Sequence, residues 1–179
     1  GKIVDFQTYG YRDVERQLPM ERDTICRAYS MSKLITCVAT LMLVEEGRLN
    51  LDDPVAKYLP ELKDVKVWTG GTTDAPQLEP LKRPITIKHL LTHTSGLIYD
   101  FAGDDELTKL WRSADLWSGP GLTNFIAKLG KLPLKHQPGD AYTYGVNMDV
   151  LGALIERVSG KPFGVFLDER IFRPLGMKD

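Results

Sequence analysis

The sequence is poor in cysteine, has no excess of charge of one sign and contains no long apolar run. Among its 179 residues, 23 Lys and Arg stand against 24 Asp and Glu, which gives a formal net charge of −1. This balance provides no basic face for nucleic acid, and no recognisable motif interleaves aromatic residues with Lys or Arg. The longest apolar run lies in the helix predicted after Ser30 and is shorter than the roughly 18 apolar residues of a membrane span. These absences argue against nucleic-acid binding and against a membrane span.

Cysteine is too sparse to provide a disulfide framework. The two cysteines, Cys26 and Cys37, lie eleven residues apart where a strand is predicted to pass into a helix, a geometry that disfavours a disulfide. No C-x-x-C pair indicates a metal, so we expect both to be small packed residues. No signal peptide is visible. The compartment stays unassigned, with the cytoplasm preferred over the periplasm or secretion.

The three histidines are His89, His93 and His136. His89 and His93 are four residues apart, but no glutamate completes an H-E-x-x-H pattern and no third ligand is evident. We therefore predict structural histidines, no metal and no cofactor. Ser95 lacks the G-x-S-x-G pattern of a nucleophile elbow, and Gly96 is expected to end the short helix in a left-handed conformation.

What the sequence does contain is a serine and a lysine at the mouth of a helix. Ser30 and Lys33 are three residues apart, so on a helix the amine can reach the hydroxyl and help to remove its proton during attack. Thr24–Tyr29, before them, is predicted to be a short β-rich approach. Apolar residues after them recur at three- and four-residue steps and predict one buried stripe, formed by Leu34, Ile35, Val38, Leu41 and Met42. Alternatively, Ser30 is only a helix N-cap and Lys33 a solvated residue of the first turn.

Two later segments give this S-x-x-K pattern a context. They are Val44–Pro60 (VEEGRLNLDDPVAKYLP) and Ile85–Leu97 (ITIKHLLTHTSGL). With them, the chain resembles the serine β-lactamase and penicillin-binding-protein superfamily, in particular its class C-like members, the family VIII carboxylesterases with a β-lactamase fold and related acyltransferases. The resemblance runs from about Asp5 to Asp179. It implies an α+β fold of the β-lactamase/transpeptidase-like type, with helices on an antiparallel sheet.

The resemblance also implies a catalytic tyrosine on a loop after the helical part. A turn at Pro138-Gly139, followed by an apolar helix, marks such a loop. Counted back from Gly152, Tyr144 occupies the catalytic position of the family, and Tyr142 is predicted to be a packed ring. The neighbouring residues Gly145, Asn147 and Asp149 resemble the esterase and acyltransferase form of the motif.

The motif departs from its β-lactamase form at one position. Class C β-lactamases carry asparagine two residues after the tyrosine, whereas here Val146 stands there and the asparagine is Asn147. Recognition of β-lactams therefore does not carry over directly, while ester chemistry needs only a nucleophile, a proton shuttle and an oxyanion hole. The substrate-binding candidates are Asn147, Tyr99 and Trp117. Tyr99 and Trp117 belong to an aromatic stretch around a short helix, Asp105 to Ser113, which the resemblance makes a pocket wall; packing within the lobe is the alternative.

The resemblance implies a mechanism and an incomplete domain. Ser30 attacks an acyl carbonyl with its own backbone N–H as one oxyanion donor, Lys33 and Tyr144 pass the proton to the leaving alcohol, and water releases the acyl group. The family's closing strand with K-T-G, H-x-G or W-x-G is not found after Tyr144, and Gly1–Phe6 resembles the middle of a strand. We therefore expect residues 1–179 to be the N-terminal and helical portion of one domain, partnered by a C-terminal remainder whose strands are absent. Thr69–Pro76 is predicted to be a flexible inserted loop.

The sequence thus predicts a serine hydrolase that acts through an acyl-enzyme on short-chain carboxylic esters. Its partner is a small-molecule ester or amide substrate. The alternatives are a β-lactamase or D-Ala-D-Ala carboxypeptidase, an acyltransferase, and a catalytically silent binding member of the fold.

Overall fold

A computed structural model describes residues 1–101 and 103–178. These residues divide into two compact units, Gly1–Ser32 and Lys33–Lys178. Within the described ranges, no helix combines the length and apolarity that crossing a membrane requires.

The first unit contains a short hairpin and one helical turn. Strand β1 (Tyr11–Asp13) pairs antiparallel with β2 (Leu18–Pro19). The turn between them is closed by the Asp13 carboxylate, which accepts the Arg16 backbone N–H at 2.9 Å. The unit ends in a 3₁₀ turn over Tyr29–Met31.

Two strand predictions for this unit are wrong. Thr24–Tyr29 and Gly1–Phe6 are not strands in the structure. A strand needs backbone hydrogen bonds to a neighbour, which an apolar or mixed sequence pattern cannot supply by itself. The prediction that Cys26 is packed is also wrong, because its side chain is exposed, whereas Cys37 is half-buried; both thiols are free.

The second unit holds six α-helices and one hairpin among its described residues. The hairpin is formed by β3 (Lys66–Gly71) and β4 (Pro76–Pro80), antiparallel with Lys66 opposite Pro80. The helices are α1 (Ser32–Glu45, starting one residue earlier than the unit), α2 (Ile87–Leu91), α3 (Glu106–Ser113), α4 (Gly121–Leu129), α5 (Asn147–Ser159) and α6 (Phe163–Leu167). Short 3₁₀ turns cover Val55–Lys57 and Pro60–Leu62, and a π-helical turn covers Asp168–Phe172.

Helix α5 is the centre of the core. It contacts α2, α4 and α6, and eight of its residues are buried: Asn147, Met148, Val150, Leu151, Gly152, Ala153, Leu154 and Ile155. The helix ends at Gly160, which takes the left-handed conformation with φ 72°. Helix α3 agrees with the predicted short helix, with Asp105 as its N-cap accepting the Thr108 N–H at 2.9 Å.

The predicted buried stripe of α1 is wrong for three of its five residues, since Leu34, Val38 and Leu41 are 70%, 47% and 44% exposed. Ile35 and Met42 are partly buried against the core, and the buried residues of the helix are Thr36, Ala39, Thr40 and Leu43. The small side chains allow the helix to approach the core closely, and the Thr40 hydroxyl is satisfied by donating to the Thr36 carbonyl at 2.9 Å. Burial here follows from what the fold places beside the helix, and hydrophobicity alone does not decide it.

The predicted flexible loop Thr69–Pro76 is instead the end of the β3–β4 hairpin. Its tip is attached to α3 because Thr73 donates to the Glu106 carboxylate with both its backbone N–H and its hydroxyl, each at 3.0 Å. The hairpin is therefore anchored at its tip as well as along its strands.

Candidate active site

Ser30 lies in the 3₁₀ turn that ends the first unit, two residues before α1 begins. Its side chain is exposed. Tyr29, directly before it, has a φ of 45°, a left-handed conformation that costs a non-glycine residue roughly 1 kcal/mol or more. The candidate nucleophile therefore follows a strained residue on a tight turn.

Lys33 is in the first turn of α1 and belongs to the second unit. Its side chain is half-buried, and its Nζ lies 4.9 Å from the centre of the Tyr144 ring. At this distance the ring face attracts a cation. The structure thus brings together the candidate base and the candidate tyrosine, which are 111 residues apart in the sequence.

The loop that carries Tyr144 is held against the segment after α2. The Thr143 N–H donates to the His93 carbonyl at 2.8 Å, and the Val146 N–H donates to the Ile98 carbonyl at 3.3 Å. Between these bonds Gly145 approaches so closely that a Cβ there would lie 2.2 Å from the Leu97 carbonyl oxygen. The backbone around Tyr144 is therefore fixed from both sides.

Tyr99 extends the aromatic group around Tyr144. Its ring centre is 5.5 Å from that of Tyr144 and 4.8 Å from that of Phe101, which stacks on it. Burial, followed by the negative charge of Asp149 and by Tyr144, raises the pKa of the Tyr99 hydroxyl to about 12. Tyr99 therefore keeps its proton at neutral pH and can donate a hydrogen bond.

Asp149, on the first turn of α5, provides negative charge in this region. Burial raises the pKa of its carboxyl, while the positive charge of Lys33 acts in the opposite direction. The motif already drew attention to Asp149, but its electrostatic coupling to both Lys33 and Tyr99 is visible only in the structure.

His93 is buried behind Tyr144. Its ring centre lies 5.0 Å from that of Tyr144, with 33° between the planes. Burial and then the charge of Lys33 lower the pKa of its imidazole. The left-handed residue at this turn is His93 itself, with φ 54°, as well as the predicted Gly96, with φ 89°.

A family model described as Beta-lactamase matches residues 1–179. The chain belongs to the beta-lactamase family. The predicted superfamily is therefore confirmed.

Two curated relatives in this family are esterases by name. The lovastatin esterase of Penicillium rubens is 39% identical over 162 residues, which are 90% of this chain and 40% of that protein. Esterase EstB of Burkholderia gladioli is 36% identical over 187 residues, covering 100% of this chain and 44% of that protein. The chain thus spans less than half the length of these relatives.

A solved structure supports the same assignment. EstCE1, described as a hydrolase with promiscuous acyltransferase activity, superposes with a TM-score of 0.80 at 30% identity and covers 94% of this chain and 42% of that one. The predicted β-lactamase/transpeptidase-like fold is confirmed by this match and by the family.

The structure gives Asn147 surroundings that the substrate-binding prediction did not foresee. Its side chain is fully buried. The amide oxygen accepts the Ser95 hydroxyl at 2.5 Å, and the amide nitrogen lies 2.9 Å from Nδ1 of His93. Both ends of the amide are occupied inside the protein, which argues against direct contact between Asn147 and a substrate. Ser95 is also fully buried, which agrees with its rejection as a rival nucleophile.

The remaining predicted residues lie in different surroundings. Trp117 is half exposed, and its ring centre lies 5.1 Å from that of Phe125. Tyr142 is 67% exposed, so its prediction as a packed ring is wrong. His89 serves α2 instead, because its Nδ1 accepts the Thr86 N–H at 3.2 Å in a capping box.

The structural role predicted for the histidines is complete for His136 but not for His93. His136 bonds through Nε2 to the Thr143 hydroxyl at 2.9 Å, a structural role of the kind predicted. His93 was also predicted to be structural, yet it packs against the candidate catalytic tyrosine. The H-T-S-G segment after a short helix was the available signal, but only tertiary contact relates it to Tyr144.

Proposed function

We propose that this protein is a serine hydrolase that cleaves short-chain carboxylic esters through an acyl-enzyme on Ser30. The observation that carries the proposal is the position of Lys33 Nζ, 4.9 Å from the centre of the Tyr144 ring. The contact is with the ring, and it brings close together an amine and a phenol, two groups of the kind that can take the proton of a serine nucleophile at neutral pH. The esterase names of two relatives support an ester as the substrate.

In the proposed reaction, Ser30 Oγ attacks the carbonyl carbon of the ester. Its proton passes to the Lys33–Tyr144 pair, and the C–O bond to the alcohol breaks as the pair protonates the leaving oxygen. Water then attacks the acyl-serine, giving the carboxylic acid and restoring the Ser30 hydroxyl. The Ser30 N–H donates to the developing oxyanion. The exposed part of Tyr144, 42% of its surface, leaves its side chain accessible to a bound ester.

Covalent labelling tests this proposal directly. The full-length protein is treated with a fluorophosphonate, digested, and the modified peptide identified by mass spectrometry. We expect one adduct on Ser30 and hydrolysis of p-nitrophenyl butyrate that exceeds hydrolysis of nitrocefin. The Ser30→Ala variant should lose both labelling and turnover while keeping its circular dichroism spectrum, because its side chain is exposed and substitution of an exposed side chain usually changes stability by about 0.5 kcal/mol or less. Turnover by folded Ser30→Ala at the wild-type rate would reject Ser30 as the nucleophile.

A second candidate function is acyl transfer to an alcohol in place of water. It is favoured by the similarity to EstCE1, which is described as having promiscuous acyltransferase activity. The same acyl-enzyme serves both reactions, so the two differ only in the acceptor. Adding a primary alcohol to the p-nitrophenyl butyrate assay and quantifying butyrate ester against butyric acid measures how the intermediate partitions.

A further inference from the structure

His93 packs against Tyr144 and is linked to buried polar side chains that the proposed reaction does not use. His93 is 8% exposed, and its ring contacts Tyr144 at 5.0 Å and Tyr142 at 5.9 Å between ring centres. The Asn147 side chain meets its Nδ1, and Ser95 bonds to Asn147; both residues are fully buried. A buried polar chain therefore leads from Ser95 through Asn147 to the ring that supports the candidate catalytic tyrosine.

The direction of the hydrogen bonds in this chain follows from its first member. The Ser95 oxygen accepts the Leu97 N–H at 3.1 Å and donates its own proton to the Asn147 carbonyl oxygen at 2.5 Å. The Asn147 amide nitrogen then faces Nδ1 of His93 at 2.9 Å. An amide N–H can only donate, so Nδ1 must accept and carries no proton. The proton of the neutral ring is therefore on Nε2.

The surroundings disfavour a second proton on His93. A protonated Nδ1 would point an N–H at the N–H of Asn147 in a buried site. The charged group that faces His93 is Lys33, whose positive charge repels a protonated imidazole, and the titratable groups in ring contact are Tyr142 and Tyr144. Burial acts in the same direction. His93 thus offers Tyr144 a neutral ring that does not compete with Lys33 for the tyrosine proton.

We propose that His93 is a positioning residue for Tyr144, held as the neutral Nε2–H tautomer by Asn147, which Ser95 orients in turn. The proposal rests on the proposed function for its catalytic consequence. It gives a role to Asn147 that differs from substrate contact. Replacing Asn147 by aspartate should reverse the hydrogen bond, because a carboxylate accepts a proton from Nδ1 and stabilises a charged imidazole.

The first test measures the tautomer and does not depend on activity. The full-length protein is labelled with ¹⁵N-histidine, and the imidazole nitrogens are observed by long-range ¹H–¹⁵N correlation at neutral pH, with His93→Gln used to assign the signals. We expect His93 to show an unprotonated Nδ1 and a protonated Nε2. A protonated Nδ1 would mean that the Asn147 amide has the opposite orientation, and it would overturn the proposal.

The second test relates the tautomer to turnover. In Asn147→Asp we expect the His93 Nδ1 to become protonated and kcat for p-nitrophenyl butyrate to fall about 10- to 100-fold, as for a slightly misplaced catalytic group, with KM changed much less. His93→Phe, which keeps a ring but offers no Nδ1, covers the case in which Asn147→Asp does not fold. We expect it to retain more activity than His93→Ala, because ring support for Tyr144 survives.

The outcomes separate this inference from the proposed function. Unchanged kcat in folded Asn147→Asp, or equal activity in His93→Phe and His93→Ala, would overturn the positioning role. If Ser30→Ala kept full activity, the proposed function would fail, while the NMR measurement would still decide whether the His93 tautomer is as inferred. His89→Gln is the matched control, since His89 caps α2, and it should leave both kcat and the His93 signals unchanged.

Discussion

At the residue scale, two tyrosines lie on one loop but differ in their contacts. Tyr144 lies under Lys33 and beside Tyr99, whereas Tyr142 is 67% exposed and has a ring contact with His93 at 5.9 Å. Of these two tyrosines, Tyr144 is the one with an amine over its ring among the contacts of the described residues. The two identical side chains therefore differ in their surroundings, and the consequence for activity can be tested by removing each hydroxyl.

We expect Tyr144→Phe to lower kcat by about 10²-fold or more, as for the loss of a positioned acid–base group. Tyr142→Phe is the matched control. It should change kcat by less than about twofold, since no step of the proposed reaction uses its hydroxyl. Steady-state hydrolysis of p-nitrophenyl butyrate measures both. The opposite ranking of the two variants would place the motif two residues out of register.

At the scale of elements, close backbone approach holds the Tyr144 loop in place. Gly145 lies where any Cβ would collide with the Leu97 carbonyl oxygen at 2.2 Å. Main-chain bonds to His93 and Ile98 flank this contact. A side chain at position 145 must therefore displace the loop, the segment after α2, or both.

Gly145→Ala should lower the free energy of unfolding by about 1–3 kcal/mol through overpacking, and it should lower kcat as well because Tyr144 moves with the loop. Gly164→Ala is the control, because its added Cβ meets nothing within 4 Å and the position is helical. Urea unfolding followed by circular dichroism measures the stability. An alanine at 145 as stable and active as wild type would show that the close approach is not needed.

The β3–β4 hairpin and α3 are joined through Glu106. The Lys109 ammonium, then the Thr73 N–H and hydroxyl, lower the pKa of the Glu106 carboxyl to about 2. A folded-state pKa below the unfolded value means that the charged form stabilises the fold. This contribution is complete above the unfolded value and is lost as the pH falls through the folded one.

Between pH 4.5 and about 2 the Glu106 interaction should therefore disappear. We expect Glu106→Gln to destabilise the protein at pH 7 and to lose less stability than wild type over that acid interval. Melting temperatures measured by calorimetry across the interval test this, with substitution of the exposed Glu45 by Gln as the control. Parallel curves for Glu106→Gln and wild type would show that Glu106 does not link the hairpin to α3 through its charge.

At the scale of the whole molecule, α1 presents an apolar face to solvent. Leu34, Val38 and Leu41 on that face are exposed. Contiguous exposed apolar surface commonly marks a site of association. The 179-residue chain by itself therefore has a surface that water does not favour.

We expect this 179-residue chain, expressed alone, to self-associate with rising concentration. Replacing Leu34, Val38 and Leu41 by Glu should reduce association, because charge makes burial of the face unfavourable. Lys2→Glu with Lys63→Glu adds comparable negative charge elsewhere and should not have this effect. Sedimentation velocity over a concentration series distinguishes the variants. A wild-type chain that stays monomeric throughout would contradict the prediction.

The sequence by itself determined the family, the order of Ser30, Lys33 and Tyr144, and the ends of α3. Each depends on neighbouring residues: a fixed spacing or an N-cap such as Asp105. Such signals act over a few residues and can be read without knowing the fold.

Only the tertiary structure decided which face of α1 is buried and what supports Tyr144. Asn147 meets His93 across 54 residues and Ser95 across 52, and no local pattern specifies a partner at such a distance. Burial of Thr36 and Thr40 in place of Leu34 and Val38 likewise depends on which elements pack against the helix. Side-chain chemistry limits what each residue can do, but the tertiary fold determines which neighbours it contacts.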